Sequence, residues 1–84
     1  MITAEEIQAR IEAGIEGAKA TLTDLGGGNH WSALVISPSF EGKGLVARHQ
    51  MVYATVRDKM LPQDESIHAL QLKTQTPTEV AKSP

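Results

Sequence analysis

The feature of the sequence that most restricts its fold is a helical pattern enclosed by two strand patterns. Residues 30–37 and residues 67–74 predict strands, and the aliphatic run in the first predicts burial on both faces and a central place in the sheet. A β-α-β connection makes its two strands parallel. Residues 45–60 predict the connecting helix, whose apolar face comprises Leu45, His49, Val52, Val56 and Met60.

The N-terminal part of the chain predicts a further helix and a further strand. Thr3 and Glu6 have the spacing of a capping box, and the apolar repeat that follows ends near Ala18 or Lys19. Residues 20–25 predict a strand that forms an antiparallel hairpin with the strand at residues 30–37, because a glycine-rich turn joins the two.

A third helix and the domain limits complete the predicted architecture. Thr76 as cap and Pro77 at the first helical position mark the start of a helix. The predicted fold is α+β, in the order α-β-β-α-β-α, with a three-stranded mixed sheet and helices on one face. We expect one domain at residues 1–80 and a disordered tail at residues 81–84.

Composition excludes several classes of protein. The 84 residues contain no cysteine, which removes disulfides, thiol nucleophiles and cysteine-only metal sites and fits a reducing compartment. The N-terminus is acidic and lacks a secretory signal, and no apolar run reaches the ~20 residues of a membrane span. We therefore expect a protein of the cytoplasm, or of an organelle matrix or stroma, that is not secreted and has no membrane partner.

The sequence contains no recognisable catalytic motif. A Ser-His-Asp order, a paired-carboxylate motif, a phosphate-binding loop and HExxH are all absent from the 84 residues. We therefore expect a protein that is not an enzyme and has no catalytic residues.

Two of the three histidines are candidates for a metal site. His30 and His68 stand at the starts of two strands that are predicted to be parallel, so both should lie at one edge of the sheet within roughly 5–10 Å. Histidine binds metals, and it replaces cysteine on one iron in some [2Fe–2S] clusters. Because the chain lacks cysteine, it would have to share such a cluster with a partner that supplies thiolates. The alternative is that both histidines only bind backbone groups. For His49, on the apolar helix face, we expect a packed, hydrogen-bonded side chain.

Four short motifs, taken in order, resemble the BolA family. They are FEGK at residues 40–43, RHQMVY at residues 48–53, IHAL at residues 67–70 and TQTP at residues 74–77. The resemblance covers nearly the whole chain. It implies an α-β-β-α-β-α fold similar to that of class II KH domains.

The resemblance also implies a function. BolA-like proteins are partners of monothiol (CGFS-type) glutaredoxins and share a bridging [2Fe–2S] cluster with them, in iron–sulfur trafficking or iron regulation. The glutaredoxin cysteine and glutathione supply thiolates, so the chain alone would hold no cofactor. The histidine of the HAL motif corresponds to His68, and His30, after a short loop, is the candidate for the second ligand.

Other residues allow two interpretations each. Lys43 and Arg48 either contact an acidic or glutathione-bearing partner or are solvated surface charges. Trp31 either anchors a partner or packs over the hairpin. Phe40 and Tyr53 are expected in the core.

Three other functions remain open on the sequence. A KH-like fold and the basic residues around the second helix allow a nucleic-acid-binding transcriptional regulator, but the chain has no GXXG loop and a formal charge of −2. Steep salt dependence of binding would reveal such contacts. The protein could also be an adaptor that binds a glutaredoxin without a cluster, or a stand-alone metal or redox protein. Alone it is expected to be a monomer or a weak homodimer.

Overall fold

Helices and strands follow one another along the chain in the predicted order. The computed structural model describes residues 1–82. Single 3₁₀ turns at Pro38–Phe40 and Arg57–Lys59 precede and follow the second helix. The elements are α1 (Ala4–Gly14), β1 (Lys19–Gly26), β2 (His30–Ile36), α2 (Leu45–Val56), β3 (Ala69–Gln75) and α3 (Pro77–Lys82).

The sheet is mixed, and β2 is its central strand. β1 pairs with β2 in antiparallel orientation, so that Ala20 lies opposite Val35. β3 pairs with β2 in parallel orientation, beginning with His30 opposite Ala69. These pairings confirm the predicted hairpin, the predicted parallel connection and the α+β fold class.

Side chains of β2 alternate between a buried face and a half-buried face. The buried face joins α1 and α2 in one core. The prediction that both faces of β2 are buried is wrong, because the helices cover only one face of the sheet. On the covered face lie Trp31, Ala33 and Val35, and on the other face lie Ser32, Leu34 and Ile36.

The capping residues of the first and last helices are those that the sequence predicts. Thr3 Oγ1 accepts a hydrogen bond from the Glu6 N–H at 3.1 Å. At α3, Thr76 Oγ1 accepts from the Glu79 N–H at 3.1 Å, and Glu79 Oε1 accepts from the Thr76 N–H at 2.9 Å. The second pair is a complete capping box, which satisfies two backbone donors at the helix start.

The first helix ends earlier than the sequence predicts. It stops at Gly14 instead of Ala18 or Lys19, because Ile15 already has extended backbone angles (φ −129°, ψ 116°) and packs into the core. Two residues later, Gly17 adopts φ +71°, a left-handed conformation that glycine reaches without steric penalty. The apolar repeat therefore continues past the point where the helix has ended.

The second helix also differs from the prediction at both ends. Leu45, at the first helical position, is 64% exposed and does not belong to the buried face. The α-helix ends at Val56, and Met60 has extended backbone angles and forms a parallel bridge to Ile67. Pairing with the segment before β3 thus draws Met60 out of the predicted helix.

The C-terminal boundaries are shifted by a few residues. β3 begins at Ala69, although Ile67 is fully buried just before it. α3 includes Ala81 and Lys82, which the sequence analysis assigned to a disordered tail, and the remainder of that predicted tail lies outside the described residues. Within residues 1–82, no helix has the length and apolar character needed to cross a membrane.

Candidate metal-ligating site

His30 and His68 lie together at the end of the sheet where β2 and β3 begin. Their ring centroids are 5.8 Å apart and the ring planes are inclined at 54°. Both side chains are exposed. The proximity follows from the parallel pairing of β2 with β3, which places His30 opposite Ala69 and therefore next to His68. The structure confirms the predicted closeness of the two histidines.

A backbone carbonyl fixes the two histidine-bearing segments to each other. The Asn29 carbonyl accepts hydrogen bonds from the His68 N–H at 2.8 Å and from the Ala69 N–H at 3.3 Å. Asn29 directly precedes His30, so these two bonds connect the residue before one histidine to the backbone of the other. The role of Asn29 could not be predicted from the sequence, because a backbone acceptor leaves no residue-type signal.

The ring geometry is compatible with two ligands on one metal atom. Two imidazoles that bind one metal through nitrogens at about 2.0–2.1 Å and at a nearly tetrahedral angle hold their ring centroids roughly 5 Å apart. The observed centroid separation of 5.8 Å is close to that value. Imidazole is also an accepted ligand on one iron of a [2Fe–2S] cluster. The histidine pair therefore fits one iron of such a cluster.

The pair is nevertheless an incomplete metal site. Among the described residues 1–82, no group of three or more histidine, cysteine, aspartate or glutamate side chains is arranged to hold a metal ion. A metal bound by His30 and His68 would have to obtain its remaining ligands from another molecule. Since both histidines are exposed, a second molecule can reach them.

A polar cavity of about 500 Å³ is lined by the segments that lead to the two histidines. Gly27, Gly28 and Asn29 precede His30, and residues 64–66 precede His68. Within the second segment, hydrogen bonds from Ser66 hold the pKa of the Asp64 carboxyl below its usual value. The Asp64 carboxylate thus contributes negative charge to the wall of this cavity at neutral pH.

Arg48 is held inside the molecule. Its side chain is 12% exposed and pairs with Glu79 through both terminal nitrogens, at 2.8 and 2.9 Å. It also donates to the carbonyls of Lys43 at 2.8 Å and Thr74 at 3.4 Å. These contacts match neither of the two sequence interpretations, because the guanidinium is used to join α2 to β3 and α3. Lys43 itself is exposed and can contact a partner.

Trp31 lies in the core of the protein. It is 5% exposed and belongs to the hydrophobic cluster under the sheet. Its Nε1 is buried and has no hydrogen-bond partner among the described residues. The packing interpretation therefore accounts for Trp31, and the structure does not offer it as a surface anchor.

The other core assignments are largely as expected. Phe40 is fully buried, and Tyr53 is half-buried with its hydroxyl donating to the Leu70 carbonyl at 2.9 Å. His49 is half-buried and packed, but its Nε2 is buried without a hydrogen-bond partner in the part of the chain that the structure describes. The packing that the sequence predicts for His49 is therefore confirmed, whereas Nε2 supplies none of the predicted hydrogen bonding.

Among the basic residues around α2, Arg48 is paired with a carboxylate, which leaves fewer free cations for a phosphate backbone. Arg48 is neutralised by Glu79, and Asp58 is paired with Arg10 at 2.8 Å between Arg57 and Lys59. A surface that binds phosphates needs several free cations that displace counterions. The structure therefore adds no observation in favour of nucleic-acid binding.

Comparison with known proteins identifies one family. The model of the BolA family, described as "BolA-like protein", matches residues 5–79. The Arabidopsis thaliana protein BOLA2 is 35% identical over 80 residues, which represent 92% of this chain and 82% of BOLA2.

Solved structures of similar sequence have the same fold. A BolA protein homologue from Coxiella burnetii is 36% identical, with a TM-score of 0.80 over 98% of this chain and 100% of that chain. A Bol-like protein from Babesia bovis is 30% identical, with a TM-score of 0.80 over 96% of this chain and 92% of that chain.

Proposed function

Because the chain belongs to the BolA family, we propose that it is a non-enzymatic partner of a monothiol glutaredoxin and shares a bridging [2Fe–2S] cluster with it. The resemblance of its motifs to that family implies this partnership. The role lies in iron–sulfur trafficking or in iron regulation.

The observation that carries the proposal is the pair of exposed histidines 5.8 Å apart at the start of two parallel strands. His68 and His30 would bind one iron through neutral imidazole nitrogens. The partner cysteine and glutathione would supply thiolates. When bound, the cluster supplies an iron–sulfur unit that can be passed on or used to sense iron.

The exposed surroundings of the pair support a shared site. A chain that held a cluster alone would need at least two more ligands, and the described residues group none with the histidines. Lys43, which is exposed two residues before the start of α2, can interact with an acidic group of the partner. The protein thus contributes ligands and a docking surface, and the partner contributes sulfur.

A reconstitution experiment tests the proposal. This protein, a monothiol glutaredoxin, glutathione, iron and sulfide are combined, and visible absorption and circular dichroism are recorded for the native chain and for His68→Ala and His30→Ala. We expect a heterodimer spectrum distinct from that of the glutaredoxin homodimer. Loss of that spectrum with His68→Ala establishes His68 as a ligand, and a changed spectrum with His30→Ala does the same for His30.

A control variant and size-exclusion chromatography separate the alternatives. Gln50→Ala, at an exposed position of α2, should give the native spectrum. The protein is an adaptor without a cluster if two results are found together. The double variant His30→Ala/His68→Ala still binds the glutaredoxin, and the native complex shows no spectrum distinct from that of the glutaredoxin homodimer. Separate elution of the two native proteins contradicts the partnership itself.

A further inference from the structure

The carboxylate of Asp24 is bound to the loop that carries His30. Its Oδ1 accepts hydrogen bonds from the Gly26 N–H at 2.8 Å and from the Gly28 N–H at 3.3 Å. Between Asp24 and Gly26 the pairing of β1 with β2 shifts by one residue. The carboxylate therefore spans an irregular turn at the end of the hairpin.

The loop needs such a fixed point because of its backbone. Gly26, Gly27 and Gly28 adopt φ values of +136°, +75° and +73°. Glycine reaches these angles without steric penalty, but it also samples many others, so ordering three successive glycines carries a large entropic cost. The two hydrogen bonds that one carboxylate oxygen accepts favour the observed conformation over the others.

The conformation of the loop is transmitted to the histidine pair through Asn29. Gly28, whose N–H is held by Asp24, directly precedes Asn29. The Asn29 carbonyl in turn binds the N–H groups of His68 and Ala69. The hydrogen bonds at Gly28 and Asn29, joined by the backbone between these two residues, thus connect Asp24 to the segment of His68, and His30 follows Asn29 directly in the chain.

We infer that Asp24 is a positioning residue for the metal-ligating pair, acting through Gly28 and Asn29 to set the distance between the rings of His30 and His68. The inference rests on the proposed function, because the separation of the two rings matters only if both histidines bind one metal. Two ligands bind one metal tightly only when their relative position is fixed in advance, and groups that orient ligands typically affect metal affinity by about 10- to 100-fold. Asp24 itself is exposed and is not a ligand.

The inference is tested first on the metal-free protein. In Asp24→Ala, amide hydrogen exchange at His68 and Gly28 should accelerate, and nuclear Overhauser contacts between the rings of His30 and His68 should weaken. Asp24→Asn keeps the side-chain acceptor oxygen and should restore both signals. Thr23→Ala, at an exposed position of the same strand, is the matched control and should leave them unchanged. Thermal unfolding shows that each variant is folded at the temperature used.

Metal affinity provides the second measurement, with Ni²⁺ as the probe because imidazole is a suitable ligand for it. In calorimetric titration, Asp24→Ala should bind Ni²⁺ about tenfold more weakly than the native chain, or more weakly still. Asp24→Asn should bind Ni²⁺ with near-native affinity. In a His30→Ala background, Asp24→Ala should cause no further loss, because its effect passes through that histidine.

The outcomes distinguish the inference from the proposed function. If His30→Ala and His68→Ala each weaken Ni²⁺ binding while Asp24→Ala binds as the native chain does, the role of Asp24 is overturned and the ligand pair stands. If His30→Ala has no effect on Ni²⁺ binding, the ligand role of His30 fails and the positioning role fails with it.

Discussion

Arg48 and Trp31 show how spatial neighbours decide the role of a residue. From the sequence, both are candidates for contact with a partner. The partner of Arg48 is Glu79, which lies 31 positions later in the chain, and the Arg48 guanidinium carbon also lies 5.8 Å from the centre of the Phe40 ring. No spacing rule connects residues so far apart. The His30–His68 pair was predictable because parallel strands begin at the same end of a sheet.

The role of Arg48 predicts a specific loss of stability in Arg48→Lys. Lysine keeps the charge but presents a compact ammonium group, which cannot donate two parallel bonds to Glu79 and a third to the Lys43 carbonyl. The midpoint of thermal unfolding should therefore fall. Arg57→Lys, at an exposed position just after α2, is the control and should retain the native midpoint. Equal midpoints for the two variants would contradict the structural role of Arg48.

At the scale of elements, α3 depends on its first turn. It has six residues, which is too short for a helix that is stable on its own in water. The capping box and the ion pair to Arg48 both involve Glu79. The Arg48 guanidinium, with the Thr76 N–H as a second donor, lowers the pKa of the Glu79 carboxyl from 4.5 to about 2.

This lowered pKa predicts how stability depends on pH. A carboxyl whose pKa is lower in the folded state stabilises that state at pH values above the ordinary pKa of the carboxyl, which is 4.5. This contribution is lost as the pH falls towards about 2. Glu79→Gln keeps an acceptor for the capping box but removes the charge. In urea unfolding, the native chain should exceed Glu79→Gln in stability at about pH 7, and the difference should shrink by about pH 3. An unchanged difference would show that the charge of Glu79 does not stabilise the fold.

The order of elements could be predicted from the sequence, but several of their ends could not. Apolar periodicity shows which segments are helical, and it continues wherever the core continues. Thus Ile15 is buried after α1 has ended, and Met60 continues the spacing of α2 in extended backbone. The helix caps at Thr3 and Thr76 were predictable because capping is a local interaction between residues three positions apart.

At the scale of the whole molecule, the topology places the candidate site apart from the core. Helices pack on one face of the sheet, and the histidine pair lies at the end where β2 and β3 begin. Loss of the ligands should therefore leave the fold intact, because neither His30 nor His68 belongs to the buried cluster. The same separation lets a second molecule complete the metal site without disturbing the core.

Pulsed electron paramagnetic resonance of the reduced cluster tests the central claim most directly. The chain is labelled with ¹⁵N-histidine, combined with unlabelled monothiol glutaredoxin and glutathione, and loaded with iron and sulfide. If His68 and His30 bind iron, strong hyperfine couplings from ¹⁵N replace those from ¹⁴N, and the labelled double variant His30→Ala/His68→Ala shows none. Couplings that do not respond to labelling of this chain would show that its histidines are not ligands and would contradict the account.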